Sequence, residues 1–296
     1  MAAVLRRFVA ALAVVLAMST FAGAAGASFV GVVSGSLTMS SEPGDWVGQG
    51  GSYSLATPDA SFSTHSDGRT ARIRASTGGQ DWDLSFAAPA GHLLEPGTYT
   101  GATRFGGEGE PGLSISGNSR GCNAVTGSFT VLSATYGPYG YLQTFHATFE
   151  QHCEGLEPAL RGELDVTSTT APQAVAVYLT FDPAVHLVRG GGASVRGTVS
   201  CNQSVSSFVP ISVMVTQTKK ITTSGTNFGG VDGCDTTPKP WQITVWSDYR
   251  PNFDAGTATL RADTSISDDF YSQYFDFNTS INATDSLTQS LRLTNG

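Results

Sequence analysis

Gly117-Asn118-Ser119-Arg120-Gly121 has the G-x-S-x-G spacing that sets a serine on a sharp strand-to-helix turn as an acyl-transfer nucleophile. Asp165 and His186 follow in the chain order such a serine requires. Behind the serine, however, Cys122 to Thr126 leads through Gly127 into another alternating segment, where an elbow needs a helix. The expectation is a turn pinned by a cysteine, and no catalytic residue is assigned. A second constellation could hold metal: His146, Thr148, Glu150 and His152 share one parity of an extended segment, opposite Phe145, Ala147, Phe149 and Cys153. Six residues of strand hold the two histidines roughly 20 Å apart, too far for one ion. A solvated polar face is expected. Asp263, Asp268, Asp269 and Asp276 offer oxygen to calcium, but without the alternate ligands and twelfth-position glutamate of an EF-hand loop. No metal ligand is assigned and no cofactor is expected, calcium being the one ion that such an acid cluster could still take.

The candidate binding residues are aromatic. Trp46 lies in the glycine-rich run Glu42 to Gly51, and Tyr136, Tyr139 and Tyr141 surround Gly137-Pro138-Tyr139-Gly140, a turn between two alternating arms. Flat rings beside carboxylates and amides suit a pyranose, which offers an apolar face for stacking and hydroxyls for hydrogen bonds.

The elements that must position these residues are strands. Only 14% of the 296 residues are charged, while 35 are glycine, a composition that excludes coiled coils, helical bundles and disorder driven by charge. Trp82-Asp83-Leu84-Ser85-Phe86, Gly112 to Ser116, Ser128 to Tyr136 and Tyr141 to Gln151 alternate apolar with polar residues. So do Val175 to Phe181, Val195 to Cys201, Ile211 to Val215, Trp241 to Val245 and Thr257 to Ala262. The expected fold is all-β: two antiparallel β-sandwich domains in tandem, each with one internal disulfide.

Met1 to Ala27 reads as a secretory signal, with Arg6 and Arg7 before an uncharged run from Phe8 to Met18 and a small-x-small site at Ala25-Gly26-Ala27. That run is too short to span a bilayer, which takes about 20 residues, so no transmembrane anchor is expected. Cleavage near Ala27 would place the protein outside the cell, where Cys122, Cys153, Cys201 and Cys234 oxidise. Sequential pairing, Cys122 with Cys153 and Cys201 with Cys234, closes two loops of about 32 residues on either side of Val166 to Pro172. The expected organisation is therefore a signal peptide at 1–27, a first domain at 28–168, a linker at 169–172 and a second domain at 173–296. Without Arg6 and Arg7 the formal charge moves from −8 to −10, with −8 of it in residues 28–168. Such a surface repels phosphate backbones and anionic lipid heads, so neither nucleic acid nor a peripheral membrane surface is expected as a partner.

Gly197-Thr198-Val199-Ser200-Cys201, Trp241 and Phe253 to Ala258 resemble bacterial immunoglobulin-like modules: a cysteine-bearing second strand, a core aromatic and the approach to a late strand. Trp241 follows Cys234, whereas the tryptophan of an antibody-type domain lies between the cysteines. The first domain, with Gly117 to Asn123 and Glu150 to Gly155, is similar to secreted bacterial β-sandwich modules of unknown function. Both resemblances imply fold and no activity. The functional expectation is a secreted, non-enzymatic protein that binds an extracellular glycan or protein. An extracellular hydrolase and a structural spacer of the cell surface are the alternatives.

Overall fold

The computed structural model describes residues 34–274 and 280–295. The expected signal segment and Asp276 lie outside the described residues. Ten strands build a first sheet: β1 (Ser34–Ser41), β2 (Ser52–Ala56), β3 (Ser61–Ser66), β4 (Thr70–Thr77), β5 (Gln80–Ala87), β6 (Gly97–Thr103), β7 (Gly112–Gly117), β8 (Val125–Tyr136), β9 (Leu142–Cys153) and β10 (Ala159–Thr167). Their order across the sheet is β2-β1-β10-β9-β8-β6-β7-β5-β4-β3. Period-two alternation decides which face each residue takes. On β5, Trp82, Leu84 and Phe86 are buried, while Asp81, Asp83 and Ser85 face outward. Phe86 meets Phe129 and Phe145 with ring centroids 5.4 and 5.3 Å apart. Each such fully buried ring contributes roughly 1.5 to 3 kcal/mol.

This sheet does not divide into two facing layers. It curls as one surface until β1 and β2 approach β3 and β4, and a single apolar cluster draws residues from all ten strands. Closure of this kind needs local bending. Register slips between Thr100 and Ala102 on β6 and between Val131 and Ser133 on β8 supply it, with Gly101 at φ +68° in the first.

Eight strands form the second sheet: β11 (Val177–Leu179), β12 (Ala184–Val188), β13 (Gly192–Cys201), β14 (Val205–Thr218), β15 (Thr222–Cys234), β16 (Lys239–Val245), β17 (Gly256–Ser267) and β18 (Asn282–Asn295). The order is β11-β13-β12-β18-β17-β14-β15, with β16 paired to β13 and packed beside β15. The pairing is not wholly antiparallel: β18 returns to lie parallel to β12, with Ala184 opposite Arg292, and β6 touches β7 in parallel at Thr103 and Gly112. Cys122–Cys153 and Cys201–Cys234 form as expected, each inside one sheet. The chain-entropy view assigns each closed loop roughly 3 to 4 kcal/mol.

A short helix, α1 (Asp269–Tyr274), joins the two sheets. The buried carboxylate of Asp268 starts it, accepting the Tyr271 N–H at 3.4 Å and the Val175 N–H at 2.8 Å. Tyr271 donates its hydroxyl to the Pro172 carbonyl and is buried with Tyr141 beneath Phe270 and Tyr274. The Tyr274 hydroxyl accepts the Leu142 N–H of β9 at 3.2 Å, while its carbonyl lies 3.2 Å from Nδ1 of His65 on β3. A carbonyl only accepts, so that nitrogen carries the proton. β3 and β9 face each other where the first sheet nearly closes, so α1 bridges the seam.

Candidate functional site

The outward face of β3, β4, β5 and β7 carries two rows that cross the strands. Ser63, Arg74, Asp83 and Ser116 are opposite one another in one row, and His65, Arg72, Ser85 and Ser114 in the next. β4 generates the pattern, because Ala71, Ile73 and Ala75 enter the core and Arg72 and Arg74 must then point out. Arg104 and Phe105, on the connection from β6 to β7, wall this face and complete a groove of about 430 Å³. Three of the six arginines in residues 28–168, a segment without lysine, line this one depression.

The arginines are held differently. Arg74 forms a forked ion pair with Asp81, Nε to Oδ1 at 2.9 Å and Nη2 to Oδ2. That guanidinium holds the Asp81 carboxyl below its ordinary range. The Arg104 guanidinium stacks on the Phe105 ring at 4.9 Å and donates to the Asn123 carbonyl at 3.4 Å. The Arg72 guanidinium has no ion pair or hydrogen bond among the described residues, and its neighbours across the strands are His65 and Ser85. Phe105 is 76% exposed, an unusual cost for a phenylalanine at a turn. The groove thus offers one unengaged guanidinium and a second held by stacking. It adds an open ring edge, four serine hydroxyls and the Asp83 carboxylate. These groups can hold an anionic group bidentately and hydroxyls around it.

The residues named from sequence are placed elsewhere and do not converge. Trp46 is 56% exposed on a loop organised by Asp45, whose buried carboxylate accepts the Ser41 hydroxyl at 2.8 Å and the Gly48 N–H at 2.7 Å. Tyr141 is buried in the joint with α1, Tyr139 meets Tyr271 edge-on at 5.1 Å, and Tyr136 donates its hydroxyl to the Leu94 carbonyl at 2.7 Å. Tyr139 and Tyr141 therefore serve the contact with α1, and Tyr136 packs on the core of the first sheet. Burial raises the Tyr136 phenol well above its usual value.

Ser119 occupies a tight hairpin turn. Asn118 and Ser119 both have positive φ, and Gly117 and Arg120 exchange N–H to carbonyl bonds at 2.9 Å, the pattern of a type I′ turn. Arg120 ties this turn to the Trp46 loop through the Val47 carbonyl at 2.9 Å. Asp165 lies on β10 and His186 on β12 of the other sheet. In the outward row, Glu150 accepts from His152 at 3.0 Å and from Arg161 at 2.6 Å, and these two bonds lower its pKa. His146 pairs separately with Glu163 at 2.7 Å. Asp263 is bound by Arg261 and Ser286, and Asp268 by the α1 backbone and Val175. Among the described residues, no group of three or more His, Cys, Asp or Glu is arranged to hold a metal ion.

His65, Arg72, Arg74, Asp83, Arg104 and Phe105 were absent from the sequence-based candidates. One signal pointed to them: Arg69-Thr70-Ala71-Arg72-Ile73-Arg74 concentrates half the arginines of an acidic segment and repeats them at the spacing of one strand face. The comparison with known proteins adds no family, since no protein-family model matches this chain and no curated protein matches its sequence.

Proposed function

We propose that this is an exported, two-unit binding protein whose first unit holds an anionic glycan in the arginine groove. The observation that carries this reading is the placement of Arg72, Arg74, Arg104 and exposed Phe105 around one depression on an otherwise acidic half. Arg72 and Arg104 would take the ligand's carboxylate. Asp83 and the serines would take its hydroxyls, and Phe105 would stack on an apolar sugar face. The two units are residues 28–168 and 173–296, joined by 169–172 and released after cleavage near Ala27. The second unit reads as an immunoglobulin-like module around buried Trp241 and the Cys201–Cys234 bridge. Binding rather than catalysis follows from a groove whose polar groups are partnered or spread over a sheet face.

A glycan array presented with the exported protein, Phe105→Ala and Trp46→Ala tests this. Selective retention on acidic glycans that Phe105→Ala loses and Trp46→Ala keeps is the expected result. Loss in Trp46→Ala alone would move the site to the Asp45 loop, and a blank array would remove the glycan reading.

A further inference from the structure

The end of the second sheet farthest from α1 has a different character from the rest of the molecule. Three connections meet there: the β12–β13 turn with Arg189, the β14–β15 turn with Lys219, Lys220 and Ile221, and the β16–β17 loop from Trp246 to Ala255. Register places them together, since Val188 opposes Gly192, Thr218 opposes Thr222 and Gly256 opposes Leu293. β17 begins at this end and runs twelve residues to Ser267, just before α1, a separation of about 35 to 40 Å.

The three connections are fixed to one another. Asn252 donates to the Gly190 carbonyl at 2.9 Å, Lys219 to the Ala255 carbonyl at 3.0 Å, and Gln217 bonds both the N–H and the carbonyl of Asp254. On this hydrogen-bonded base Ile221 is 63% and Tyr249 85% exposed, with Trp246 half exposed against Gly190 and Gly192. Around them stand Arg189, Lys219, Lys220 and Arg250, half of the eight basic residues in 169–296, against only Asp248 and Asp254 of its ten acids. Asp254 is already engaged, 3.7 Å from the Lys219 ammonium. Turns ordinarily expose polar side chains, so an isoleucine and two aromatic rings on the tips of connections expose apolar surface without a folding reason.

We propose that this end docks on an anionic lipid bilayer, with Ile221, Tyr249 and Trp246 entering the interface and Arg189, Lys220 and Arg250 facing lipid phosphates. Charge complementarity supplies the choice of partner: the local surface is positive on a chain of formal charge −8. Attraction to an anionic leaflet acts only within about 8 Å at physiological salt, so the local sign decides. The exposed apolar tips separate a bilayer from a soluble polyanion, which would have no use for them. The proposal is independent of the groove, which lies on the other sheet.

Vesicle flotation of the exported protein tests it, with vesicles of equal parts phosphatidylglycerol and phosphatidylcholine beside pure phosphatidylcholine. Two variants at exposed positions are compared: Lys220→Glu/Arg250→Glu and Ile221→Ser/Tyr249→Ser, each checked for a native circular dichroism spectrum. Expected are binding at least tenfold stronger to the anionic vesicles and at least a tenfold loss in both variants. Equal binding to the two vesicle types, unchanged binding by either variant, or no flotation at all would overturn the proposal. Retention on a soluble polyanion that survives Ile221→Ser/Tyr249→Ser, without vesicle binding, would assign the cluster to that ligand instead.

Discussion

Single side chains set the tolerances of this fold. A Cβ on Gly197 would sit 1.8 Å from the Thr180 carbonyl oxygen and 2.7 Å from the Trp241 ring, and neither neighbour is free to retreat, one being backbone and the other core. Gly197→Ala should therefore lower stability by about 2 kcal/mol or more in urea unfolding, and a midpoint equal to wild type would contradict the packing described. Tyr271 gives a pH signature. Burial pushes its phenol up to about 12 from an ordinary 10.0. Between those values the unfolded chain releases the proton and the folded chain keeps it, so the folded state binds more protons and loses stability as pH rises. Tyr271→Phe should be less stable at neutral pH by about 1 kcal/mol, the hydrogen bond to Pro172 being gone, yet lose less stability between pH 10 and 12. Parallel pH curves for the two proteins would refute this assignment.

At the scale of elements, alternation made most strands legible in the sequence. Trp82 to Phe86 and Gly112 to Ser116 alternate because one face packs and the other is solvated, and cysteine spacing, with the expected export, pointed to both bridges. What alternation does not carry is which strand neighbours which: β18 parallel to β12, and the curl of the first sheet, depend on bulges and contacts far apart in the chain. α1 was hidden for a related reason. Six residues give too little periodicity to read, and its rings are buried only because Tyr141 and Leu142, more than 125 positions earlier, come to meet them. The tyrosines around the β8–β9 turn were legible as an aromatic concentration but not as a joint. Tyr274→Ala removes both the ring beside His65 and the acceptor for the Leu142 N–H. It should cost about 2 kcal/mol and speed amide exchange at Leu142, whereas unchanged exchange would show that α1 does not hold the seam.

For the molecule as a whole, the two sheets carry different surfaces. Residues 28–168 hold most of the negative charge yet gather three arginines in one groove, while the second sheet places half of its basic residues, with exposed Ile221, Trp246 and Tyr249, at the end remote from α1. Averaged along the sequence, overall acidity spoke against nucleic acid and anionic lipid; screening over about 8 Å makes the local arrangement decisive instead. No helix among the described residues is long and apolar enough to cross a membrane, and the two disulfides are consistent with an oxidising environment. The central claim is that the groove on β3, β4, β5 and β7 binds an anionic glycan through Arg72. Isothermal titration of the protein and of Arg72→Gln with a hexuronate oligosaccharide and its neutral counterpart tests it most directly. The account predicts measurable binding of the acidic sugar, roughly 10- to 100-fold weaker in Arg72→Gln, and little binding of the neutral sugar. Equal affinity for the two sugars, or an Arg72→Gln variant that binds like wild type, would contradict it.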